Sequence, residues 1–121
     1  MAGVTAHDIR VMALALPGAE EADHHGSPSF VVKGKIFCTL RETASRMMVK
    51  LSLEDQFNFC AAHGEVVSPV PGYWGRKGST YVALDRIDRA LAETLLSLGW
   101  ARIAQGRKAL APSVKSSSLL N

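Results

Sequence analysis

The chain has 121 residues, 47% of them hydrophobic and 21% charged, with a formal net charge of +3. That length suits one domain around one modest core, and the absence of any apolar run of about eighteen residues excludes a helical membrane span. Two cysteines, Cys38 and Cys60, are too few for a disulfide framework or a cysteine-based zinc cluster.

In chain order, Thr5 and Asp8 have the spacing of a capping box and Val4 and Ile9 that of a hydrophobic staple, so a helix starts there. Ile9, Met12, Ala13 and Leu16 recur along one face, and Pro17-Gly18 ends the helix, because proline cannot continue its hydrogen-bond ladder. Residues 18–28 hold Glu20, Glu21, Asp23, His24 and His25 without a period and read as a polar connector. Strands follow over 29–33 and 35–40, with Gly34 as the turn residue. The two-residue period puts Ile36, Cys38 and Leu40 on one face and Phe37 and Thr39 on the other. After a turn at 41–45, a strand over 46–51 points Met47, Val49 and Leu51 inward and Arg46, Met48 and Lys50 outward. The three strands form an antiparallel meander with one buried face.

Ser52 then caps a second helix, with Asp55 at its third position, running to His63 and stopped by Gly64. Leu53, Phe57, Cys60 and Ala61 form its inward stripe. A short strand at 65–68 leads into Pro69-Val70-Pro71-Gly72, and a last strand covers 79–84. Asp85 caps the final helix, with Asp88 at its third position, Ile87, Leu91, Leu95 and Leu98 inward, and Gly99 as its stop. This order predicts an α+β two-layer sandwich, a mostly antiparallel sheet covered by helices. One domain is expected over 1–112, and the small, polar segment 113–121 reads as a flexible C-terminal tail. Residues 1–8 carry neither a basic nor an apolar targeting region, so a cytoplasmic protein is expected.

Several segments together resemble one family. They are Leu16-Pro17-Gly18-Ala19-Glu20-Glu21, His25-Gly26-Ser27-Pro28-Ser29-Phe30, Gly34-Lys35-Ile36-Phe37-Cys38-Thr39-Leu40, Pro69-Val70-Pro71-Gly72-Tyr73-Trp74-Gly75-Arg76-Lys77-Gly78 and the strand from Thr80 to Asp85. In this order they look like the MmcQ/YjbR family, a likeness that runs over about residues 5–110. The resemblance implies a frataxin-like arrangement of sheet and helices. The family is commonly labelled DNA-binding, a label that rests largely on structural analogy, and it offers no catalytic residues to carry over. Many relatives have tryptophan where this chain has Ser79, so a second exposed aromatic beside Trp74 is missing.

Charge is unevenly placed. Residues 1–60 carry six basic and seven acidic side chains, a net of −1, whereas residues 61–121 carry eight and four, a net of +4. Within the second half, Tyr73-Trp74-Gly75-Arg76-Lys77-Gly78 pairs two aromatics with two cations in a glycine-bounded loop. Arg76 can fork two hydrogen bonds to a phosphate, Lys77 adds a point charge, and Tyr73 or Trp74 can stack on a base. A second basic surface comes from Arg46 and Lys50 on one strand face and from Lys33 and Lys35 beside the Gly34 turn; such groups can contact phosphates without reading bases. The plain alternative is solvated charge, lysine protecting a sheet edge, and Trp74 closing the core.

Other chemistry is thinly supported. No phosphate-loop or dinucleotide glycine pattern occurs. Adjacent His24 and His25 point to opposite sides of an extended segment, and no Cys-x-x-Cys or His-Glu-x-x-His is present, so no metal or other cofactor is expected. Cys38 and Cys60 sit among apolar neighbours as small core residues. With His25 or His63 they are the only material for thiol catalysis, and no catalytic residue is assigned. The sequence therefore favours a DNA-binding accessory protein that uses the aromatic-basic loop and the basic strand face. A protein-interaction module anchored by Tyr73 and Trp74, or a small-ligand protein or enzyme, stands as the alternative.

Overall fold

The capping box forms as its spacing requires. Thr5 Oγ1 accepts the Asp8 N–H at 3.0 Å, and the Asp8 carboxylate accepts the Thr5 N–H at 2.9 Å. Val4 and Ile9, the staple pair on either side of the cap, are both buried. The structure, a computed structural model, describes residues 3–105. After α1 (Ala6–Leu14) come β1 (Glu20–His24), β2 (Ser27–Val32), β3 (Lys35–Arg41) and β4 (Arg46–Lys50). Then follow α2 (Leu53–Ala62), β5 (Val67–Pro69), α3 (Tyr73–Arg76), β6 (Ser79–Ala83) and α4 (Arg89–Ala104). The six strands form one sheet in the order β1-β2-β3-β4-β6-β5, every neighbouring pair antiparallel. This is the α+β two-layer sandwich that the order of elements predicts.

The expected connector at 18–28 is instead half of a hairpin. β1 pairs with β2 from Glu20↔Val31 to His24↔Ser27. His25 and Gly26, at φ 53° and 84°, make the two-residue turn that suits the twist of paired strands. All five β1 residues are exposed, so no alternation of polar and apolar residues marks the strand. Arg10 of α1 holds it down with two hydrogen bonds to the Glu21 carboxylate, at 2.9 and 3.2 Å. Lys33 likewise belongs to the next turn rather than to a strand, since it shares positive φ with Gly34. A bulge follows, because Phe30 pairs with Cys38 but Val31 with Ile36. The extra residue breaks the two-residue period. Phe37 and Cys38 are therefore both fully buried, and Ile36 lies with Thr39 on the sheet's open face.

The core gathers on the other face, where Cys38, Leu40, Met47, Val49 and Val82 are all fully buried. α4 lies across β2, β3 and β4 and against α1. Its cap is Asp88, whose Oδ1 accepts the Leu91 N–H at 2.8 Å, and not Asp85, which lies in the preceding turn. Gly99 does not stop the helix but lets it settle on the sheet. A Cβ there would stand 2.6 Å from Val49 Cγ1 and 3.3 Å from the Phe37 carbonyl oxygen. Leu95 is fully buried, and Leu91 and Leu98 are half-buried beside it.

The stripe expected on α2 is also wrong. Leu53 and Phe57 are 56% and 74% exposed, Ala61 is exposed, and only Cys60 of the four packs on the core. The buried residue of that helix is Gln56. α2 meets the rest of the protein at a narrow strip, and there it faces carbonyl oxygens that require a donor. Cys38 is buried and Cys60 half-buried, and both are free thiols. The tail expected at 113–121 lies outside the described residues. Among those residues no helix is long and apolar enough to cross a membrane.

Candidate binding cleft on the open face of the sheet

Strand parity builds the floor of a cleft. Thr39 opposes Met48, and Met48 opposes Tyr81, so three neighbouring strands present one row to the open face. One step towards one end, Arg41 opposes Arg46; towards the other, Lys50 opposes Ser79. These side chains, with Ile36, His24 of β1, Val70 and Trp74, line a space of about 450 Å³. Its walls are mainly apolar and aromatic. Arg41, Arg46 and Lys50 contribute cations, and among the described residues no aspartate or glutamate lines it.

Trp74 reaches this space because α3 is bolted to the sheet. The segment expected to be a glycine-bounded loop is a short helical turn, and its glycines allow close approach to the protein's own backbone. A Cβ on Gly75 would land on the Val70 carbonyl, within 2.8 Å of the carbonyl carbon. Gly78, at φ 107°, is pressed against the Leu51 carbonyl. Gln56 Nε2 donates to the Gly75 and Ser79 carbonyl oxygens, both at 3.0 Å, and to Thr80 Oγ1 at 3.2 Å. Arg102 of α4 donates from Nη1 to the Leu51 carbonyl at 2.6 Å and to the Lys77 carbonyl at 3.1 Å. Two distant helices thus hold the aromatic turn, which leaves Trp74 59% exposed.

The cations are arranged around the aromatic rings. The Arg46 guanidinium carbon lies 4.0 Å from the centre of the Tyr81 ring, and Lys50 Nζ lies 5.7 Å from the centre of Trp74. Such placements are attractive, because the ring face carries negative charge density. Burial, and next the positive charge of Arg102, hold the Lys50 pKa below the usual lysine value. Arg46 Nε is buried and has no hydrogen-bond partner among the described residues. Like charges opposed across strands, as Arg41 and Arg46 are, cost stability on their own. The cleft can therefore accept a flat ring against its aromatic walls and an anion or carbonyl oxygen at its cations.

Three of the residues singled out in the sequence, Arg46, Lys50 and Trp74, come together here. Tyr73 stands outside the lining, edge-on to Trp74 with ring centres 5.0 Å apart, and Lys77 Nζ is 5.5 Å from the Tyr73 ring centre. Arg76 is exposed on α3. Lys33 and Lys35 are exposed at the β2–β3 turn, towards the same end of the sheet as Lys50 but not in the cleft. His24, Arg41, Met48 and Tyr81 join the site unforeseen. Parity along 79–84 was enough to find Tyr81, which alternates with Thr80 and Val82. Gln56 and Arg102, the anchors of α3, left no local signal.

The family model for YjbR matches residues 14–102. The fold is similar to the crystal structure of the Deinococcus radiodurans protein DR2400, a DUF419-domain protein, with a TM-score of 0.71 and 21% identity. That alignment covers 87% of this chain and 83% of the other. No curated protein matches the sequence.

Proposed function

This chain belongs to the YjbR family, and we propose that it is a cytoplasmic accessory protein that binds nucleic acid through the open face of its sheet. One observation carries the reading: Arg41, Arg46 and Lys50 share a cleft with Trp74 and Tyr81, and among the described residues no aspartate or glutamate lines it. Cations supply phosphate contacts, which give affinity without sequence information. Aromatic faces supply stacking, which tolerates any base. Lys33, Lys35, Arg76 and Lys77 lie exposed outside the cleft and extend the basic surface along which a sugar-phosphate backbone runs. Neither free thiol lines the cleft.

Fluorescence anisotropy against oligonucleotides at several salt concentrations tests this, with polyglutamate as the anionic control. The paired change Arg76→Ala with Lys77→Ala should weaken binding to unrelated sequences about equally. For every phosphate that is no longer neutralised, the slope of log affinity against log salt should fall by about 0.7 for single strands and about 0.9 for duplex. Absence of binding at low salt, or equal binding to polyglutamate, refutes the proposal. The alternative, a protein partner anchored by Tyr73 and Trp74, predicts binding that barely responds to salt.

A further inference from the structure

We infer that the cleft receives a single unstacked nucleobase, so that the nucleic acid it serves is single-stranded. This rests on the nucleic-acid reading above and makes it specific. In a duplex the bases are stacked and offer only their edges in the grooves. Only an unpaired, splayed base presents a π-face to a protein ring. The cleft is built for such a face. Trp74 is fixed in place by the close approach of Gly75 to Val70 and by the Gln56 bond to the Gly75 carbonyl. Across the floor, the Arg46 guanidinium lies over the Tyr81 ring at 4.0 Å, so a planar cation backed by an aromatic ring faces the cleft beside Met48.

Size points the same way. A space of about 450 Å³ lies within the roughly 300–1,000 Å³ of clefts that hold small-molecule ligands. Arg46 lines the cleft, and with its Nε closed off from solvent its terminal guanidinium nitrogens are the donors it can offer there. A phosphate on a rigid duplex backbone stays at the surface, whereas a carbonyl or ring nitrogen of an inserted base can enter and accept from Arg46. Lys50, 5.7 Å from the Trp74 ring centre, is then placed for the phosphate attached to that nucleotide. Charge and shape thus select an aromatic ring that carries its anion alongside.

The test compares a short oligothymidylate, an abasic oligomer of the same length and a duplex of the same length, each labelled for anisotropy. The parent protein should bind the oligothymidylate more tightly than the abasic chain by a factor of roughly 5 to 150, the range that stacking one base on an aromatic supplies. Trp74→Ala should bring the two affinities together by weakening only the oligothymidylate, while Trp74→Phe should keep most of the difference. Trp74 is exposed, so both variants are expected to fold, and circular dichroism checks that they do. Equal affinity of the parent for the abasic and thymidylate chains overturns the inference but leaves the nucleic-acid reading standing. So does tighter binding to the duplex, or a Trp74→Ala variant that still discriminates. Failure to bind any of the three removes both.

Discussion

Gly75→Ala should detach the aromatic turn from the sheet. The new methyl would coincide with the Val70 carbonyl, and the obstacle is backbone, which cannot rotate away as a side chain can. α3 must therefore lift. Lifting breaks the Gln56 bond to the Gly75 carbonyl, a neutral bond at 3.0 Å, and strains the Arg102 bond to the Lys77 carbonyl at 3.1 Å. The first contributes about 0.5–1.5 kcal/mol and the second, from a charged donor, about 1.5–3 kcal/mol. The Arg102 bond is solvent-exposed, which puts the sum towards its lower end, about 2–3 kcal/mol. With a urea dependence of about 1–3 kcal/mol per molar, the unfolding midpoint should fall by about 0.7–3 M. The near-ultraviolet circular dichroism of the edge-on Tyr73–Trp74 pair should weaken in the folded variant, because the rings lose their fixed relation. A variant that keeps both the midpoint and this signal would refute the claim that Gly75 sets the position of Trp74.

Two further outcomes are expected. Leu95 is fully buried between α4 and the sheet, so Leu95→Ala should cost about 2–5 kcal/mol in urea unfolding, and an unchanged midpoint would reject that placement. Burial pushes the Cys38 thiol pKa well up, while the unfolded chain ionises it near its ordinary value of about 8.5. Above that pH the unfolded state releases a proton that the folded state keeps, so this thiol's contribution to stability is lost as pH rises. The lowered Lys50 pKa acts in the opposite direction, and the comparison with Cys38→Ala isolates the thiol. The stability lead of the parent over that variant should be constant near neutrality and shrink by up to about 1.4 kcal/mol per pH unit in alkali. A lead that does not depend on pH would refute the assignment.

What the sequence made legible was whatever local spacing encodes. The Thr5–Asp8 capping box, the inward Met47 and Val49 against outward Arg46 and Lys50, and the burial of Leu95 all follow from periods of two or about four residues. Where long-range geometry decides, local pattern misleads. β1 carries no apolar residue beyond Ala22, because an exposed edge strand is held by backbone pairing and by Arg10. Ile36 changes face because the bulge beside it adds a residue that periodicity cannot see. Phe57 outranks Gln56 on any hydrophobic scale, yet Gln56 is buried because partners 19 to 24 residues away need a donor. Asp85 and Asp88 both suit a cap, and only the turn at 84–86 puts Asp88 at the helix start. For the site, residue types were readable at Trp74, Arg46 and Lys50, but the cleft that joins them exists only once β6 has paired with β4.

The sheet's two outer strands end it in different ways. β1 presents Glu20, Glu21 and Asp23 along its exposed strand, so a second copy approaching in antiparallel fashion would set carboxylates against carboxylates. At the opposite border, β5 is only three residues long and finishes in Pro69, which has no N–H to offer a newcomer. A six-stranded sheet with backbone groups free on both sides would otherwise template its own fibre. Here repulsion guards one side and a missing donor the other.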